Sequence, residues 1–573
     1  MMLFRFFPLF LVSFFVFHEA CADIPRIPEV SSGFNLKKEA YSKKGMVVTA
    51  NSLATSTAKA ILNSGGSAVD AAIAAELVLN LVEPQASGIG GGGFMTIYDP
   101  KTKKITSING REIAPSSFDV KRWKDNKGRW YSFDHLILFA DGVGVPGELA
   151  MLYRAHKKFG KLPWARLFQP AISLARGGYP VAHRLAAQLE EETMLWNDPE
   201  ASKLYRPGGK IVKEGAILRN HALADVFEDI AKNGIVNFYQ GRWAKDIVEA
   251  VNSRAKGKMI SLQDLKNYRT SESPALCGKY RDWTVCSSRL PSSGASAILA
   301  WLGLIEKSPF YHLQPNSPLA WHWFIESGRA TYVDRNSYAG DPKFDKDLTS
   351  VLLSNKYQLA RLKDLSGRKA TTDLKPGIIH GMENVKDVSL ERPSTSHVSV
   401  VDSSGQAVSL TNSIEDAFGS RLMVDGFLLN NQLLDFSRPL PNEKVVNLPR
   451  PGKQPRSAMS PTMVFDKSGK LVLILGSPGG SAIVAYIVGY LVRCLDWQED
   501  PVKNISEPHI FSRGVETEVE DGLVSPELVR QLSLLGHKVV MVAQPSGLSV
   551  IERKGDYWVG IADPRRDGDA AGI

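Results

Sequence analysis

Apolar residues crowd one stretch in the first fifth of the chain. Residues 67–81, SAVDAAIAAELVLNL, are apolar at most positions and begin at Ser67, a residue that can cap a helix N-terminus. Asp70 lies three residues further on, an acidic variant of the capping box, and Glu83-Pro84 follow the run. The pattern predicts a buried helix over residues 67–81.

The segment after this helix matches a nucleotide-binding motif only in its letters. Gly88, Gly90 and Gly93 fit G-x-G-x-x-G. That motif binds a dinucleotide when a strand precedes it and a helix follows it. Here the predicted helix comes first and a predicted strand, residues 94–98, comes second. We therefore reject the nucleotide site and interpret the glycines as positions of close backbone packing.

Strict alternation of apolar and polar residues marks a hairpin further along. HVSVVD (residues 397–402) and QAVSLTNS (residues 406–413) flank the turn sequence Ser403-Ser404-Gly405. Thr395 therefore stands just before a strand.

Residues 471–495 predict a buried strand, a glycine-rich turn and a helix. The apolar stripe of that helix is Ile483, Val484, Ile487, Val488, Leu491, Val492 and Leu495. Residues 438–456 are rich in proline and lack aromatics, which predicts a loop, and residues 136–390 are mostly helical in pattern.

The composition is that of an ordinary globular protein, with 43% hydrophobic and 23% charged residues. A length of 573 residues usually indicates two or more domains. The net charge of +9 is mild, and Lys and Arg are scattered. We therefore expect no nucleic-acid partner.

The first 22 residues have the layout of a secretory signal peptide. Arg5 precedes an apolar run over residues 6–17, and Ala20-Cys21-Ala22 places cleavage before Asp23. The run is too short to span a bilayer, and no other stretch reaches that length. A lipoprotein anchored through Cys21 is the weaker alternative. The sequence predicts a protein secreted across the membrane, in the periplasm, without stable membrane insertion.

Three cysteines remain after the leader, namely Cys277, Cys286 and Cys494. An odd number argues against a disulfide framework, and the spacing fits no zinc pattern. A Cys277–Cys286 bridge can form in an oxidising compartment. We interpret these residues as buried structural thiols.

A threonine hydroxyl becomes an effective nucleophile when its residue begins a chain, because its own α-amine is then the base. The reference pKa of an α-amine is about 7.7–8.0, so a useful fraction is neutral near pH 7. Thr395 reaches that state only if the bond after Ser394 breaks, by attack of its own hydroxyl on the Ser394 carbonyl and hydrolysis of the ester. By themselves, Ser394, Thr395 and Ser396 indicate only a hydroxyl-rich strand entry.

Several sequence blocks, in order, resemble the γ-glutamyltransferase (γ-glutamyltranspeptidase, glutathione hydrolase) family of N-terminal-nucleophile hydrolases. The blocks are VVTANSLATSTAKAILNSGGSAVDAAIAA, EPQASGIGGGGFM, NGREIAP, TSHVSVVD, LLNNQLLDFS, SAMSPTMV, GSPGGS and ADPRRDGDAAG. The resemblance implies an α+β fold, a four-layer αββα sandwich with one core made by two chains cut from one precursor. Residues 1–22 would be the signal peptide, 23–394 the large subunit and 395–573 the small subunit.

The resemblance implies a catalytic role for four residues. Thr395 would be the nucleophile, freed by self-cleavage between Ser394 and Thr395. Ser413, where the family usually has threonine, would hydrogen-bond it. Gly479 and Gly480 would form the oxyanion hole with backbone N–H groups, since amides at a helix start are unpaired and favour negative charge.

The resemblance also implies a charged recognition site. Arg111 would bind the α-carboxylate of the γ-glutamyl group with its planar fork, helped by Ser457. Asp435, with its neighbour Gln432, would hold the α-ammonium. Glu415 stands where many members have asparagine and would still favour the ammonium.

Two further departures bear on substrate choice. Ala458 replaces the second serine of the usual pair, and one lost hydroxyl contact is worth about 0.5–1.5 kcal/mol. The loop over residues 438–456 lacks the tyrosine of members with a covering lid, which leaves water or an amine open as the acceptor.

The expected activity is transfer of a γ-glutamyl group from small donors such as glutathione to Thr395, and then to water or an amine. No cofactor and no metal are expected. The main alternative is a glutaryl or cephalosporin-type amidase of the same family. Two others are an enzyme of capsule polyglutamate and an uncleaved, inactive binding protein.

Overall fold

The computed structural model describes residues 29, 32–382, 385, 387, 392, 394–439 and 444–573. The predicted signal peptide, its cleavage site and Cys21 lie outside the described residues. No helix among the described residues is both long enough and apolar enough to cross a membrane.

Strands and helices follow one another in mixed order. The strands are β1 Ala40–Ser42, β2 Met46–Thr49, β3 Gly92–Asp99, β4 Lys104–Asn109, β5 Tyr179–Pro180, β6 Ile217–Leu218, β7 Ser271–Pro274, β8 Leu276–Tyr280, β9 Trp283–Ser287, β10 Ser396–Val401, β11 Ala407–Ser413, β12 Met423–Val424, β13 Phe427–Leu428, β14 Thr462–Phe465, β15 Leu471–Gly476, β16 Ile510–Phe511, β17 Glu516–Glu520, β18 Lys538–Val542, β19 Ser549–Lys554, β20 Tyr557–Ala562 and β21 Asp569–Gly572.

The helices are α1 Ser52–Asn63, α2 Ala68–Val82, α3 Phe133–Leu138, α4 Glu148–Phe159, α5 Trp164–Gly177, α6 His183–Glu191, α7 Pro199–Tyr205, α8 His221–Asn233, α9 Val236–Gln240, α10 Arg242–Arg254, α11 Leu262–Asn267, α12 Gly294–Lys307, α13 Pro318–Tyr338, α14 Thr349–Leu352, α15 Asn355–Lys363, α16 Ile483–Leu495, α17 Pro501–Ser506 and α18 Pro526–Leu534.

Two seven-stranded sheets form the centre of the molecule. One has the order β21-β2-β10-β11-β3-β4-β7 and the other the order β1-β20-β19-β15-β14-β9-β8. Strands β10 and β11, which follow Thr395, lie between β2 and β3 from the first part of the chain. The two segments separated by Thr395 therefore share one sheet.

Helices cover the outer face of each sheet. The apolar face of β10, with Val398 and Val400, packs in one core with α2. The second sheet, through Val464 and Leu475, shares another core with α12, α13 and α16. A third, smaller core that includes Met46 and Ile474 lies between the sheets. This is the predicted αββα arrangement.

Polar side chains also join the two sheets. Ser409 donates a hydrogen bond to Leu475 O at 3.0 Å, and Ser399 donates one to Ser549 O at 2.9 Å. His397 lies beside them, 2.8 Å from Thr411 Oγ1, and burial lowers its pKa to about 3. The alternation seen in the sequence thus places apolar residues against helices and small polar residues against the second sheet.

The predicted helix over residues 67–81 is α2, with Ser67 as its cap. Ser67 Oγ accepts from Asp70 N at 3.1 Å and Asp70 Oδ2 accepts from Ser67 N at 2.9 Å, a complete capping box. Strand β3 follows the glycines, as expected. The described part of residues 438–456 contains no helix or strand, in agreement with a loop.

The prediction of buried free thiols is wrong for one pair. Cys277 on β8 and Cys286 on β9 are disulfide-bonded, because the antiparallel register places them opposite each other. Cys494 remains a free, half-buried cysteine on α16. The local hairpin, invisible in the cysteine count, decides the pairing.

Candidate active site

A pocket of about 260 Å³ opens at the end of the β10–β11 hairpin. The predicted site residues that line it are Arg111, Thr395, Ser413, Glu415, Gln432, Asp435, Ser457 and Gly480. Ala458, Met459, Ile483 and Arg392 complete the wall. Residues more than 360 positions apart in sequence therefore meet in one small space.

Hydroxyl groups converge on one carbonyl at the hairpin end of the pocket. Thr395 Oγ1 and Ser413 Oγ each donate to the Ser394 carbonyl oxygen at 2.6 Å. The two hydroxyl oxygens are 3.3 Å apart. Ser413 reaches this position because Asn412, its neighbour on β11, pairs with Ser396 on β10. The carbonyl before the Ser394–Thr395 peptide bond thus has two hydroxyl groups hydrogen-bonded to it.

Ser394 itself is buried and anchored. Its hydroxyl donates to Gln85 O at 2.7 Å, in the segment between α2 and β3. Ser413 Oγ also accepts from Glu415 N at 2.9 Å, which helps to orient the hydroxyl group that donates to the Ser394 carbonyl. These bonds fix the carbonyl between the two hydroxyl groups.

The glycine pair lies at the turn from β15 into α16. Gly479 has φ of +133° and Gly480 has φ of +54°, conformations that favour glycine. A Cβ on Gly479 would lie 2.6 Å from Tyr486. Gly480 lines the pocket, whereas Gly479, the residue before it in the chain, is not part of the pocket wall. Backbone N–H groups at such a helix start can stabilise an anion.

Arg111 forms the positive part of the opposite wall. Its Nη2 donates to Asp435 Oδ2 at 2.6 Å and to Arg456 O at 2.7 Å, and its Nε donates to Pro455 O at 3.1 Å. The side chain is only 1% exposed. A buried arginine held by two carbonyls and one carboxylate has a fixed orientation.

Carboxylates form the negative part of the same wall. Asp435 Oδ2 also accepts from Gln432 Nε2 at 2.7 Å. Glu415 Oε2 accepts from Asn431, while its Oε1 has no hydrogen-bond partner among the described residues. Burial, and then the negative charges of Asp435 and Asp416, raise the pKa of Glu415 well above its ordinary value. The pocket can therefore receive a cation at this point.

Ser457 and Ala458 also line the pocket. Ser457 Oγ accepts from Met459 N at 3.1 Å, and the Ser457 carbonyl accepts from Ser293 N at 2.8 Å and Ser293 Oγ at 2.7 Å. Ala458 contributes a methyl group to the wall. The wall therefore includes an apolar group as well as charged and hydroxyl groups.

Two arginines of the site were not predicted. Arg392 lines the pocket, and its guanidinium stacks on Phe133 at 3.7 Å from the ring centre. Arg566 donates to the Thr395 carbonyl at 3.1 Å from near the end of the chain. Arg392 stands two residues before Ser394, a proximity that could have drawn attention to it; Arg566 had no comparable local signal.

The sequence has extensive matches to known proteins. A sequence model described as Gamma-glutamyltranspeptidase matches residues 54–573. The chain is 33% identical over 554 residues to the glutathione hydrolase proenzyme of Bacillus subtilis (strain 168), covering 94% of this chain and 93% of that protein. It is 33% identical over 564 residues to the glutathione hydrolase proenzyme of Escherichia coli (strain K12), covering 95% of each.

Solved structures show the same fold. Cephalosporin acylase from Bacillus halodurans matches with a TM-score of 0.81 and 25% identity, covering 94% of this chain and 97% of that chain. Gamma-glutamyltranspeptidase from Helicobacter pylori matches with a TM-score of 0.55 and 27% identity, covering 62% of this chain and 99% of that chain. The predicted fold class is confirmed.

Proposed function

The chain belongs to the gamma-glutamyltranspeptidase family, and from that premise we propose that it is a self-cleaving γ-glutamyltransferase and glutathione hydrolase with Thr395 as nucleophile. The observation that carries the proposal is a single pocket lined by two chemically different sets of residues. Thr395, beside the Ser394 carbonyl, belongs to one set, the hydroxyl end, and Arg111 with Asp435 and Glu415 forms the other, the recognition end.

Maturation begins at the bond between Ser394 and Thr395. Thr395 Oγ1 attacks the Ser394 carbonyl carbon, its proton passes to the departing nitrogen, and the amide becomes an ester with a free α-amine. Ser413 stabilises the negative charge on the carbonyl oxygen through its 2.6 Å hydrogen bond. Water then hydrolyses the ester, which restores the Thr395 hydroxyl and leaves a carboxylate on Ser394. Residues 23–394 and 395–573 become the two subunits, consistent with the word proenzyme in the relatives' names.

Catalysis uses the new α-amine as the base. It takes the proton from the Thr395 hydroxyl as the oxygen attacks the γ-carbonyl of the donor. Backbone N–H groups of Gly479 and Gly480 hold the oxyanion. The resulting ammonium returns the proton to the leaving amine, and a γ-glutamyl ester forms on Thr395. Water or an amine then attacks the ester, and the same α-amine accepts its proton.

Recognition follows from charge. Arg111 pairs with Asp435 at 2.6 Å. A γ-glutamyl donor carries both an α-carboxylate and an α-ammonium, so its binding replaces this one ion pair by two. The carboxylate pairs with Arg111, and the ammonium pairs with Asp435 and Glu415. Gln432 and Ser457 supply further polar contacts. A neutral or singly charged side chain would leave part of this buried charge without a partner.

A second candidate is an amidase for glutaryl or cephalosporin-type side chains, which lack the ammonium. Two observations favour it: Ala458 gives the wall a methyl group, and the structure is similar to a cephalosporin acylase. Against it stand Glu415 and Asp435, whose buried carboxyl groups would face a side chain that carries no cation. We place this activity second.

We further propose that the mature enzyme acts outside the cytoplasm, in the periplasm, on small γ-glutamyl compounds such as glutathione. The signal-peptide pattern of residues 1–22 supports the location.

The deciding experiment measures p-nitroaniline release from γ-glutamyl-p-nitroanilide and from glutaryl-p-nitroanilide under identical conditions. We expect kcat/KM to be larger for the γ-glutamyl compound by about 10²–10⁴-fold, since the glutaryl compound leaves buried polar groups unpaired. A preference for the glutaryl compound would instead establish the amidase. Adding a dipeptide acceptor separates transfer from hydrolysis.

A further inference from the structure

The Thr395 carbonyl is held by an arginine from the other end of the small subunit. Arg566 Nη1 donates to Thr395 O at 3.1 Å, while its Nε and Nη2 donate to Pro545 O at 3.2 and 2.9 Å. Gly547 leaves room for the side chain, since a Cβ there would lie 2.6 Å from Arg566 Cδ. The position of the Thr395 backbone therefore depends on what fixes this guanidinium.

Three more charged side chains complete a buried network around Arg566. Glu29 Oε2 accepts from Arg566 Nη2, and Glu29 Oε1 accepts from Arg184 Nη2 at 2.6 Å. Arg184 Nη1 donates to Glu83 Oε2 at 2.5 Å. None of the four residues is more than 3% exposed. The two carboxylates offset the two guanidinium groups, as a buried network requires, and Asp567 and Asp563 place further negative charge near Arg184 and Arg566.

The members of this network come from distant parts of the chain. Glu29 lies before β1, Glu83 caps the C-terminus of α2, and Arg184 lies in the first turn of α6. The backbone N–H of Arg184 also donates to Asp567 Oδ2 at 2.9 Å, next to Arg566. The start of the described chain and two helices of the large subunit thus meet at the residue that holds the nucleophile.

We propose that Glu29 and Arg184 are positioning residues for Thr395. Through Arg566 they fix the Thr395 carbonyl, and with it the α-amine three bonds away. The inference rests on the proposed function, because that amine exists only after the chain is cut. Replacing one partner frees the guanidinium to move, and small displacements of a reacting group are costly in rate.

The test compares Glu29→Gln with the unmodified full-length chain. We expect cutting after Ser394, followed on denaturing gels, to slow by about 10–100-fold. We also expect the acid limb of the kcat/KM profile of the mature fraction to move down by about 0.5–1 pH unit, because an uncompensated positive charge near the α-amine disfavours its ammonium form. The double variant Glu29→Gln/Arg184→Gln restores the net charge of the network. The acid limb of its kcat/KM profile should therefore return to the position of the unmodified enzyme, whereas its self-cleavage should remain slow.

The matched control is Asp334→Asn, which breaks a buried pair with Arg361 at 2.9 Å on α13 and α15. It should lower Tm without changing the cutting rate or the acid limb. The ionisable groups lining the pocket, Arg111, Arg392, Glu415 and Asp435, are unchanged in every variant.

Wild-type cutting and a wild-type acid limb in a folded Glu29→Gln would overturn the inference. If that variant does not fold, Glu29→Asp serves instead: it keeps the charge and withdraws the carboxylate, so slow cutting with an unmoved acid limb is expected, and a wild-type cutting rate would contradict us. Failure of the proposed function would show in the unmodified chain, which would stay uncut.

Discussion

The two ends of the pocket differ in the interactions that hold their residues: hydrogen bonds between uncharged groups at one end, and buried charged groups at the other. The hydroxyl end holds Thr395, Ser413 and the Ser394 carbonyl, joined by short hydrogen bonds between uncharged groups. The proposed recognition end holds the buried ion pair of Arg111 with Asp435 and, beside it, the buried carboxyl group of Glu415. Hydroxyl geometry can act on the chain's own peptide bond before any substrate arrives. Charge complementarity matters only when a ligand with both signs enters.

This difference separates two kinds of variant. Changes at the hydroxyl end should impair both self-cleavage and turnover, since one hydroxyl serves both reactions. Changes at the recognition end should impair turnover alone. The Ser394–Thr395 bond is held in place by hydrogen bonds within the chain, and these do not involve the charged residues of the pocket.

Thr395→Ala should produce the largest loss. Without the hydroxyl neither the ester with Ser394 nor the acyl-enzyme can form, so we expect one band on a denaturing gel and a loss of activity of about 10⁴-fold or more. Thr395→Ser is the matched control, because it keeps a hydroxyl and, after cutting, an α-amine. Two fragments and full turnover from Thr395→Ala would contradict the assignment.

The sequence indicated the hydroxyl end better than the rest of the site. The hairpin after Thr395 follows from local alternation and a local turn, and the strand–turn–helix at Gly479 and Gly480 is equally local. Arg566, by contrast, reaches Thr395 from 171 residues away, a contact that only the order of strands in the sheets creates. The disulfide of Cys277 likewise depended on a strand register that the cysteine count could not show.

The recognition residues were predicted by resemblance rather than by pattern. Nothing in the spacing of Arg111 and Asp435 predicts that they meet, since they lie 324 positions apart. The same holds for Arg392, whose place in the pocket wall depends on the path of the chain before Ser394. Which opposite charges are buried together depends on the tertiary structure. From a single sequence it can be predicted only by resemblance to the sequence blocks of a known family.

Arg111→Gln should give the second largest effect. Removing one partner of a buried, hydrogen-bonded charge pair in a complex costs about 2–5 kcal/mol, so we expect kcat/KM for γ-glutamyl-p-nitroanilide to fall by about 30–5,000-fold. Self-cleavage should proceed normally, as judged by the two bands. Arg281→Gln, which breaks the partly exposed pair with Asp496 at 3.1 Å, is the control and should leave both readings unchanged. If Arg111→Gln stayed uncut, Arg111 would be needed for self-cleavage as well as for turnover, and the two ends would not have separate roles.

Glu415→Gln should change pH dependence more than rate. Burial and Asp435 raise the pKa of Glu415, so the carboxyl keeps its proton to higher pH than an ordinary glutamate. An ammonium binds the ionised form better, so 1/KM should increase as pH rises through that raised pKa. Glutamine has no such ionisation and should remove this increase, with KM about 3–10-fold higher at the upper end.

The pH dependence of stability tests the direction of the Glu415 pKa shift independently of the kinetics. Because the folded-state pKa is raised, the folded protein binds more protons than the unfolded chain above the ordinary pKa of glutamate, and stability falls as pH rises. Tm of Glu415→Gln should therefore decline less than that of the unmodified protein over this range. Parallel Tm curves and an unchanged pH dependence of KM would show that Glu415 does not face the ammonium.

Ala458→Ser should have the smallest effect, and it tests the apolar part of the pocket wall. The methyl group of Ala458 lines the same pocket as the charged residues and Thr395. A serine hydroxyl there adds one hydrogen-bond donor for the α-carboxylate, worth about 0.5–1.5 kcal/mol, so KM for γ-glutamyl-p-nitroanilide should fall by about 2–10-fold. Self-cleavage and kcat should stay the same, because the Ser394 carbonyl is hydrogen-bonded by Thr395 and Ser413, which this variant leaves unchanged. Ala458→Val, which adds volume without a donor, is the control and should raise KM for both anilides. If Ala458→Ser instead slowed cutting, the wall near Ala458 would belong to the hydroxyl end, and the boundary between the two ends would have to move toward Arg111.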